Sequence, residues 1–502
     1  MMRKILLVRT DASTQIGTGH VMRCLALAQA WLDEGGRVVF LSSNFPAGLL
    51  PHLQEDGIRL CDLSAVPGSP QDAVECAKFA QEIGASWIIV DGYHFNADYQ
   101  KVIKDQNLRL LFLDDYGHAD HYHADMVLNQ NCCASEEFYP HKESHTQLLL
   151  GPKYVLLRRE FLRWREWRRT ISEKAARILV TFGGSDTQNV TMKVIQVLER
   201  VKHSDLQVEI VVGAGNRCRD SIQEYVVNAK QNYELLCSID TMAEVMAWAD
   251  MAISAAGGTC WELAFLGVPS LLLLTAENQN GNAQYMEESH AAKIIGRAAD
   301  LELHDLAQAI ESFVQNEEVR KIMSEKGRQL VDGFGASRVS AALMKEGLFL
   351  RPAMPTDCCI LWEWANDPVT RAMAINKNPI PLADHVRWFE QKMKNAQSVI
   401  LILEHDAVPA GQIRFDIGED QTTEIDIAVA PSHRGRSLGT WLLREGIRYF
   451  LSFNQSVKTI LGRIREENQS SQRIFEKSGF MWEKSEFIED GVLRYYNYNV
   501  NQ

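Results

Sequence analysis

Short runs of apolar residues alternate with helix-like patterns through the first two thirds of this chain, and the series occurs twice. Each run is nearly continuous in apolar side chains, which is typical of strands buried on both faces of a parallel sheet. The predicted strands are residues 4–8, 38–41, 87–90, 110–113, 126–128 and 148–150 in the first series, and 178–181, 208–212, 233–236, 251–253 and 270–274 in the second. This alternation predicts an α/β fold with two doubly wound parallel sheets, which bind ligands beyond the carboxyl ends of their strands.

The length of 502 residues predicts more than one hydrophobic core, because single cores stop growing at roughly 250–300 residues. Helix-like patterns close the second series near residue 346, and a new set of elements begins at Gly347. We therefore expect three domains, at residues 1–155, 156–346 and 347–502. The Arg- and Trp-rich stretch 158–169 is predicted to be a connecting helix with solvated charges.

The net charge of −13 opposes nonspecific binding to nucleic acid or to an anionic membrane, and it favours small-molecule chemistry. The ten cysteines contain no Cys-x-x-Cys pair, which predicts neither a disulfide framework nor a zinc finger, so no metal is expected. The apolar run at the amino terminus is too short for a signal peptide, and no long apolar span follows. We expect a cytoplasmic protein, and the oligomeric state is left open.

A histidine stands between a glycine-rich turn and an amphipathic helix in Gly17-Thr18-Gly19-His20, just after the first predicted strand. This position is at or beside a helix N-terminus, where free N–H groups and the helix dipole favour anions such as phosphate. A neutral histidine there can accept a proton. The same pattern is also compatible with a capped helix and an incidental histidine, because Gly-x-Gly pairs are common.

Polar clusters follow the next strands of the first series. Asp91-Gly92-Tyr93-His94 follows one strand, and Asp114-Asp115-Tyr116-Gly117 follows the next. Each cluster alone indicates a turn, because Asp and Gly favour turns for backbone reasons. Together, at successive carboxyl ends, they indicate a hydroxyl-rich ligand.

The stretch from Asp11 to Arg23, DASTQIGTGHVMR, resembles the amino-terminal signature of the PseG family, the nucleotide-sugar hydrolases of pseudaminic acid biosynthesis. The resemblance extends to about residue 345 and implies the GT-B fold, in which two doubly wound domains face a cleft. It implies that His20 is the general base, that Tyr93 is an active-site tyrosine and that Asn278 lies near the sugar, although asparagine is also a common helix cap. The substrate-binding residues expected in this signature are Asp11, Gln15, Gly17, Gly19 and Arg23.

Two glycine-rich turns of the second series each follow a strand and precede a helix. The first, residues 182–186, is equally compatible with a plain turn and with a phosphate-binding turn, in which Gly184 and Ser185 would contact the substrate. The second, 254–263, is similar to the UDP-binding half of the MurG family. That similarity implies that UDP is held by the backbone of Gly257, Gly258 and Thr259, by Glu262 at the ribose, and by Ile239 and Met242 at uracil. A role in core packing is an equal alternative for Met242. Gln279 is a further residue that is expected to contact the substrate.

The carboxyl-terminal part resembles the GNAT N-acetyltransferases that modify amino sugars or protein N-termini, including PseH-like enzymes. The resemblance rests on residues 350–353 and 362–368 and on the loop 434–439, whose backbone N–H groups would hold the CoA diphosphate at a helix N-terminus. Serine stands at position 437, where the family pattern has glycine. The residues expected to bind acetyl-CoA are Ile427, Val429, Arg434, Gly435, Arg436, Ser437, Gly439 and Asn468.

The catalytic groups of this GNAT-like part are less clearly marked. Phe475 stands where the family has a tyrosine that protonates the CoA thiolate, so the acid is left open between Tyr495, Tyr496, a water and no acid at all. Glu424 is the predicted base that draws the amine proton through water, with Asp426 as a second candidate. Both are equally compatible with surface carboxylates.

Together these resemblances imply a bifunctional enzyme. The first part would hydrolyse UDP-2,4-diacetamido-2,4,6-trideoxy-β-L-altropyranose to the free sugar and UDP, and the last would use acetyl-CoA to acetylate the 4-amine of the UDP-amino-sugar precursor. UDP leaves without strong acid help, so one base and one anion cradle suffice. Two alternatives stay open: a UDP-sugar-dependent glycosyltransferase, and a nucleotide-sugar binding protein with a degenerate GNAT domain.

Overall fold

The computed structural model describes residues 4–13, 16–184, 186–201, 206–213, 216–237, 239, 241–344, 347–418 and 422–500. The chain divides into two compact units, Met1–Ser340 and Ala341–Gln502. The first unit contains two parallel sheets, and the second contains one mixed sheet. The predicted boundary between residues 155 and 156 is internal to the first unit and stays a prediction.

The first sheet has seven parallel strands in the order β3-β2-β1-β4-β5-β6-β7. The strands are β1 Ile5–Thr10, β2 Arg37–Ser42, β3 Arg59–Asp62, β4 Ala85–Asp91, β5 Leu110–Leu113, β6 Met126–Asn129 and β7 Gln147–Leu150. The helices are α1 Gly19–Asp33, α2 Leu50–Glu55, α3 Pro70–Glu82, α4 Ala97–Asp105 and α5 Arg159–Leu162. The strand order reverses between β1 and β4, and this switch point opens a crevice at their carboxyl ends.

The second sheet repeats the arrangement with six parallel strands in the order β10-β9-β8-β11-β12-β13. The strands are β8 Arg177–Thr181, β9 Gln207–Val212, β10 Asn232–Cys237, β11 Met251–Ala255, β12 Ser270–Leu274 and β13 Lys293–Arg297. The helices are α6 Val190–Leu198, α7 Arg219–Val227, α8 Met242–Trp248, α9 Thr259–Phe265, α10 Asn280–Glu288, α11 Leu303–Gln315, α12 Glu317–Leu330 and α13 Gly335–Met344. Its switch point lies between β8 and β11.

The predicted connecting helix over 158–169 is wrong in extent, and its charges are solvated only in part, since Arg163, Glu166 and Arg168 are exposed whereas Arg158 and Arg169 are not. Only α5 is helical in this stretch. Arg169 donates to the carbonyls of Ala249 and, at 2.8 Å, Met246, and burial lowers the pKa of Arg169 to about 10. Arg158 is also buried. These two arginines hydrogen-bond to groups of the second half.

The second unit is built on a seven-stranded sheet in the order β14-β15-β16-β17-β18-β20-β19. Its strands are β14 Leu348–Pro352, β15 Ser398–His405, β16 Val408–Ile417, β17 Thr422–Val429, β18 Thr459–Arg465, β19 Met481–Ile488 and β20 Gly491–Asn499. Its helices are α14 Cys358–Asn366, α15 Pro368–Met373, α16 Leu382–Lys394, α17 Leu438–Phe453 and α18 Gln469–Lys477. Among the strand pairs formed by the described residues of this unit, only β17–β18 is parallel.

The predicted fold class is confirmed: two doubly wound parallel sheets precede an α/β domain with a mixed sheet. Six strands were not predicted, namely β3, β13, β14, β18, β19 and β20. Among the described residues, no helix combines the length and the apolar composition that crossing a membrane requires.

Candidate active sites

His20 lies in the first turn of α1, just beyond β1. Gly17 has a φ of +80°, a left-handed conformation that favours glycine, and its N–H donates to the carbonyl of Ser13 at 2.8 Å. Thr18 makes no side-chain cap, so the first N–H groups of α1, including that of Gly19, have no capping side chain at this position. Gln15 lies outside the described residues.

The imidazole of His20 is held by a carboxylate on the neighbouring strand. Its Nδ1 lies 2.7 Å from Oδ1 of Asp91, the last residue of β4. Arg23 donates to the same carboxylate, at 2.7 Å from Nε and 2.6 Å from Nη2. Burial opposes the ionisation of Asp91, but the charge of Arg23 outweighs it and holds the pKa of this carboxyl well below its usual value. Asp91 therefore accepts the Nδ1 proton, and Nε2 of His20 is left to accept a proton from another molecule.

A second carboxylate, Asp115 beyond β5, joins the other polar groups of the crevice. It accepts hydrogen bonds from Nη1 of Arg23 and from the hydroxyl of Tyr93, each at 2.7 Å, and from Nδ2 of Asn131 at 3.0 Å. Burial, followed by the charge of Asp115, raises the pKa of Tyr93 far above its usual value. Tyr93 is therefore a neutral hydrogen-bonding group, and its ring meets that of His20 edge to face at 4.8 Å between centroids.

Two asparagine contacts join this cluster to the second half of the unit. Nδ2 of Asn278 donates to the hydroxyl of Tyr93 at 3.2 Å, and Nδ2 of Asn282 donates to Oδ1 of Asn131 at 2.7 Å. The predicted catalytic residues His20, Tyr93 and Asn278 are thus brought together in one cleft between the two sheets.

The turn after β8 reaches the start of α1. A Cβ on Gly184 would lie 3.0 Å from Oγ1 of Thr18, so glycine permits this close approach. Ser185 lies outside the described residues. The carboxylate of Asp186 accepts the N–H groups that open α6, at 2.8 and 3.0 Å. Because these N–H groups already donate to Asp186, they are not available to a phosphate. A phosphate at this turn would have to accept hydrogen bonds from the backbone N–H groups that precede Asp186.

Asp11 orders the loop beyond β1. Its buried carboxylate accepts hydrogen bonds from Arg9 at 2.7 Å, from Oγ of Ser42 at 2.9 Å, and from the N–H groups of Ser43 and Asn44 at 2.7 and 3.0 Å. A substrate contact through Asp11, which the sequence predicted, would have to replace one of these bonds.

The predicted diphosphate cradle lies between β11 and α9. A Cβ on Gly257 would lie 3.6 Å from Nε2 of Gln279, and a Cβ on Gly258 would meet nothing within 4 Å. Thr259 is the first residue of α9. Oε1 of Gln279 accepts the N–H of Thr275 at 2.9 Å, so this side chain orders the loop after β12. The glycines leave open space above the start of α9.

Glu262 lies on α9, beside that open space. Its Oε1 accepts a hydrogen bond from Nη2 of Arg158 at 3.2 Å. Burial raises the pKa of Glu262, and the charge of Arg158 opposes this rise. Ile239 and Met242 are half-buried, and Met242 packs against the core of the second half. Contacts of these residues with a nucleotide stay predictions.

Sequence reasoning did not assign roles to Asp91, Asp115, Asn131, Asn282 or Arg158. Asp91 and Asp115 carried a signal, because both lie in the polar clusters that follow β4 and β5. Asn131 follows β6 in the same way, which places it at the same edge of the sheet. No local sequence pattern indicated the contacts of Asn282 and Arg158, because these contacts are made with residues far away in the sequence.

Acidic pH is expected to destabilise the first unit. The pKa values of Asp11, Asp91 and Asp115 are all lowered in the fold, each against the opposing effect of burial. Their stabilisation is therefore present above the pKa of an unfolded aspartate, and the free energy of unfolding should fall progressively below about pH 5. Urea unfolding at a series of pH values measures this decline. Asp91→Asn should make the decline shallower, and an unchanged slope would contradict the assignment to Asp91.

In the second unit, the loop before α17 has a backbone suited to an anion. Gly435 has a φ of +79°, and Ser437 adopts a left-handed φ of +60° where the family pattern has glycine. The Ser437 side chain does not cap α17, so the N–H groups at the start of this helix have no side-chain acceptor there. A Cβ on Gly439 would lie 2.7 Å from Cδ1 of Ile474, so glycine permits α17 to approach α18. This arrangement fits a diphosphate at the start of α17.

The arginines of this loop differ in their contacts. Nη2 of Arg434 donates to Oδ1 of Asp367 at 2.6 Å and to Oγ1 of Thr370 at 2.8 Å, whereas Arg436 is exposed. A contact of Arg434 with the diphosphate would therefore replace an existing ion pair.

The strands β17 and β18 separate beside this loop. In the described part of the sheet their register runs from Thr422–Thr459 to Ile425–Gly462 and no further. Ile427 and Val429, which were predicted to bind the cofactor, follow the last pair. A gap between two neighbouring strands, next to an uncapped helix, can hold an extended cofactor arm.

The two candidate bases of this unit, and Asn468, which was predicted to bind acetyl-CoA, already have protein partners. Glu424 accepts hydrogen bonds from Arg463, one of them from Nε at 2.7 Å. Asp426 accepts one from Nε2 of Gln412 at 3.1 Å. Oδ1 of Asn468 caps α18 by accepting the N–H of Ser471 at 3.1 Å. Glu424 and Asp426 lie exposed on one face of β17, where either could take a proton from an amine.

Phe475 is a core residue. A Cβ on Gly462 would lie 2.1 Å from Cε1 of Phe475, so the ring occupies the space over that glycine. Of the two tyrosines considered as acids, Tyr496 is fully buried and donates to Oε1 of Glu476 at 3.3 Å. Tyr495 lies on the neighbouring position of β20 and donates to Glu486. The acid of this site stays open.

Comparison with known proteins supports the two-part organisation. Residues 177–334 match the glycosyltransferase family 28 C-terminal domain, and residues 347–481 match the acetyltransferase (GNAT) domain. An uncharacterized protein of Methanocaldococcus jannaschii is 24% identical over 484 residues, which cover 94% of this chain and 95% of the relative. A UDP-2,4-diacetamido-2,4,6-trideoxy-beta-L-altropyranose hydrolase of Campylobacter jejuni is 24% identical over 286 residues, which cover 56% of this chain and 95% of the relative.

Among solved structures, the crystal structure of Acinetobacter baumannii MurG aligns with 68% of this chain and 99% of its own, at 18% identity and a TM-score of 0.47. The two family matches show a glycosyltransferase family 28 C-terminal domain followed by a GNAT domain, and the chain up to this GNAT domain is similar to a nucleotide-sugar hydrolase. The recognition made from the sequence is confirmed at this level.

Proposed function

We propose that this protein catalyses two steps of pseudaminic acid synthesis. The first unit hydrolyses UDP-2,4-diacetamido-2,4,6-trideoxy-β-L-altropyranose to the free sugar and UDP. The second unit uses acetyl-CoA to acetylate the 4-amine of the UDP-amino-sugar precursor. The observation that carries the hydrolytic part is the His20–Asp91 pair, 2.7 Å apart at the switch point of the first sheet.

Hydrolysis requires a water whose oxygen attacks the anomeric carbon while the bond from that carbon to the UDP oxygen breaks. Nε2 of His20 takes the proton of this water, because Nδ1 already donates its proton to Asp91. The imidazolium that forms is stabilised by the ionised Asp91. UDP leaves as an anion, so no strong acid is required.

The other residues of the cleft bind and orient the UDP-sugar. The hydroxyl of Tyr93 is shared by Asp115 and Asn278, which fixes it between the two halves. Sugar hydroxyls and acetamido groups match the donors and acceptors of these three side chains. In the second half, the open space at the glycines before α9 supports a diphosphate site there, and Glu262 would accept hydrogen bonds from the ribose hydroxyls.

Acetylation places different demands on the second unit. The sugar amine would attack the thioester carbonyl carbon of acetyl-CoA, so that the amide forms, the C–S bond breaks and CoA leaves as a thiolate. The backbone at the start of α17 holds the diphosphate, and the gap beyond Ile425 admits the extended arm. Glu424 draws the amine proton through water. Its hydrogen bond from Nε of Arg463, at 2.7 Å, holds the carboxylate in position on β17.

A glycosyltransferase is the second candidate, because the second half matches the glycosyltransferase family 28 C-terminal domain. Its His20 would activate an acceptor hydroxyl instead of water. One assay separates the proposals: the whole protein is incubated with the UDP-4-amino sugar, with and without acetyl-CoA, while UDP, CoA and sugar mass are followed. Acetyl-CoA-dependent acetylation followed by UDP release without an acceptor is expected. UDP release only with an acceptor would support a transferase, and binding without turnover would support a sensor.

Arg434→Ala is expected to weaken acetyl-CoA binding about tenfold or more, because hydrogen bonds to charged groups contribute about 1.5–3 kcal/mol. Acetylation should slow, and hydrolysis of the preformed diacetamido substrate should not change. Arg448→Ala is the matched control, since Arg448 lies exposed on α17 and pairs only with Glu445 among the described contacts. If Arg434 merely stabilises the loop through Asp367, the variant should lower the melting temperature and leave the KM for acetyl-CoA unchanged.

A further inference from the structure

Three metal-ligand side chains meet on the surface of the first unit, on the segments that flank β6. Nε2 of His121 and Nδ1 of His123 lie 3.0 and 3.1 Å from the same Oε1 of Glu143. All three ligand atoms lie within 4.8 Å of one another, and the two imidazole centroids are 4.4 Å apart. The function proposed above does not use these residues.

The backbone holds this cluster in place. Tyr122 and Lys142 form a parallel bridge, in which the N–H of Tyr122 donates to the carbonyl of His141 at 2.9 Å. The N–H of Glu143 donates to the carbonyl of Tyr122 at 3.1 Å. The Tyr122 side chain is buried and donates to Asp114. Successive side chains of an extended segment alternate, so the buried tyrosine directs His121 and His123 to the opposite, solvent side.

The donor set indicates which ion would fit. Two imidazole nitrogens and one carboxylate oxygen suit a borderline divalent cation such as Zn²⁺, which takes these ligands at about 2.0–2.2 Å in a tetrahedron. Neighbouring ligand atoms in such a tetrahedron are about 3.3 Å apart, as follows from those bond lengths. The observed contacts with Glu143 lie 0.2 to 0.3 Å below that figure, at 3.0 and 3.1 Å. The two imidazole nitrogens lie within 4.8 Å of each other, so the rings would have to turn to bring these nitrogens to about 3.3 Å around an ion.

We propose that His121, His123 and Glu143 form a Zn²⁺ site with a fourth position open to water. The bound ion would cross-link the segment of His121 and His123 to that of Glu143, on either side of β6. Tyr122 and its bond to Asp114 would then be held more firmly, and Asp114 directly precedes Asp115 of the cleft. The role is structural, and no step of the hydrolysis passes through the ion.

An ion pair between histidines and Glu143 is the competing explanation of the contacts. Exposed ion pairs contribute little stability and require no metal, so this explanation predicts that zinc neither binds nor stabilises. The spacing of the cysteines, from which the sequence predicted no metal, has no bearing on a histidine cluster.

The test uses the full chain without a histidine tag, freed of metal by a chelator and then dialysed. Zn²⁺ is titrated by calorimetry, and thermal unfolding is recorded with and without Zn²⁺. One equivalent should bind, release protons as the ligands deprotonate, and raise the melting temperature. Co²⁺ in place of Zn²⁺ should give the visible absorption of a tetrahedral site.

His121→Gln, His123→Gln and Glu143→Gln should each weaken Zn²⁺ binding about tenfold or more. His304→Gln, a change at an exposed histidine of α11, should leave binding unchanged. The three cluster side chains are partly exposed, so the variants should fold, which circular dichroism checks. Equal Zn²⁺ affinity in the wild type and in the double variant lacking both histidines would overturn the proposal. So would a wild-type melting temperature that Zn²⁺ does not change.

Discussion

His20→Ala is expected to lower the rate of UDP release about 10²–10⁴-fold, the usual contribution of a general base. The affinity for UDP should stay close to that of the wild type, because the imidazole acts on water and not on the nucleotide. Single-turnover kinetics with the diacetamido UDP-sugar measures the first quantity, and calorimetry with UDP measures the second. A variant that retains near wild-type hydrolysis would remove His20 from the mechanism.

Two further variants test whether the loss of hydrolysis is specific to the removal of His20. His304→Gln changes an exposed histidine of α11 and should hydrolyse the substrate at the wild-type rate. Glu262→Ala should show the opposite pattern to His20→Ala, with UDP binding weakened by about 1.5–3 kcal/mol, because a charged hydrogen bond is lost. Unchanged UDP affinity in Glu262→Ala would reject the ribose contact.

Asp91→Asn is expected to lower kcat by up to about 10⁴-fold, as loss of the orienting carboxylate does in serine proteases. Asp91 accepts the Nδ1 proton of His20 at 2.7 Å and also holds Arg23. An asparagine amide can donate to Nδ1 instead, which would place the imidazole proton on Nε2 and remove the base. The KM should change far less than kcat, because Asp91 is buried behind His20.

The matched control for this variant is Asp72→Asn. Asp72 is also a fully buried carboxylate and is bound by an arginine, at 2.9 and 2.6 Å from Arg9. Both variants should lower the melting temperature, but Asp72→Asn should keep the kcat of the molecules that remain folded. Equal losses of kcat in the two variants would mean that Asp91 acts only through stability.

The fold class could be predicted because apolar periodicity is a local property of the chain. The runs that form β1, β4, β5 and β11 are almost wholly apolar, since these strands are covered on both faces. The missed strand β3 lacks this signal. The first and last residues of β3, whose sequence is Arg-Leu-Cys-Asp, are exposed. The segment forms a strand by pairing in parallel with the edge of β2.

The position of His20 could likewise be predicted from a strand, a turn and a helix that are adjacent in sequence. Its partner Asp91 is 71 positions away. The two meet because β1 and β4 are neighbours in the sheet, an order that the packing of whole strands and helices determines. Asp91 was therefore visible only as a polar residue after a strand.

The sequence also does not show whether a polar side chain already has hydrogen-bond partners within the protein. Asp11, Asp186, Asn468 and Arg434 all match motifs for ligand binding, yet each is hydrogen-bonded to protein groups. By itself the sequence determined the order of most elements and the two kinds of domain, and it singled out His20 as the candidate base, because all three depend on short-range patterns. Only the tertiary structure decided which carboxylate orients that histidine and which polar groups remain available to a ligand, because those contacts join residues that the chain keeps far apart.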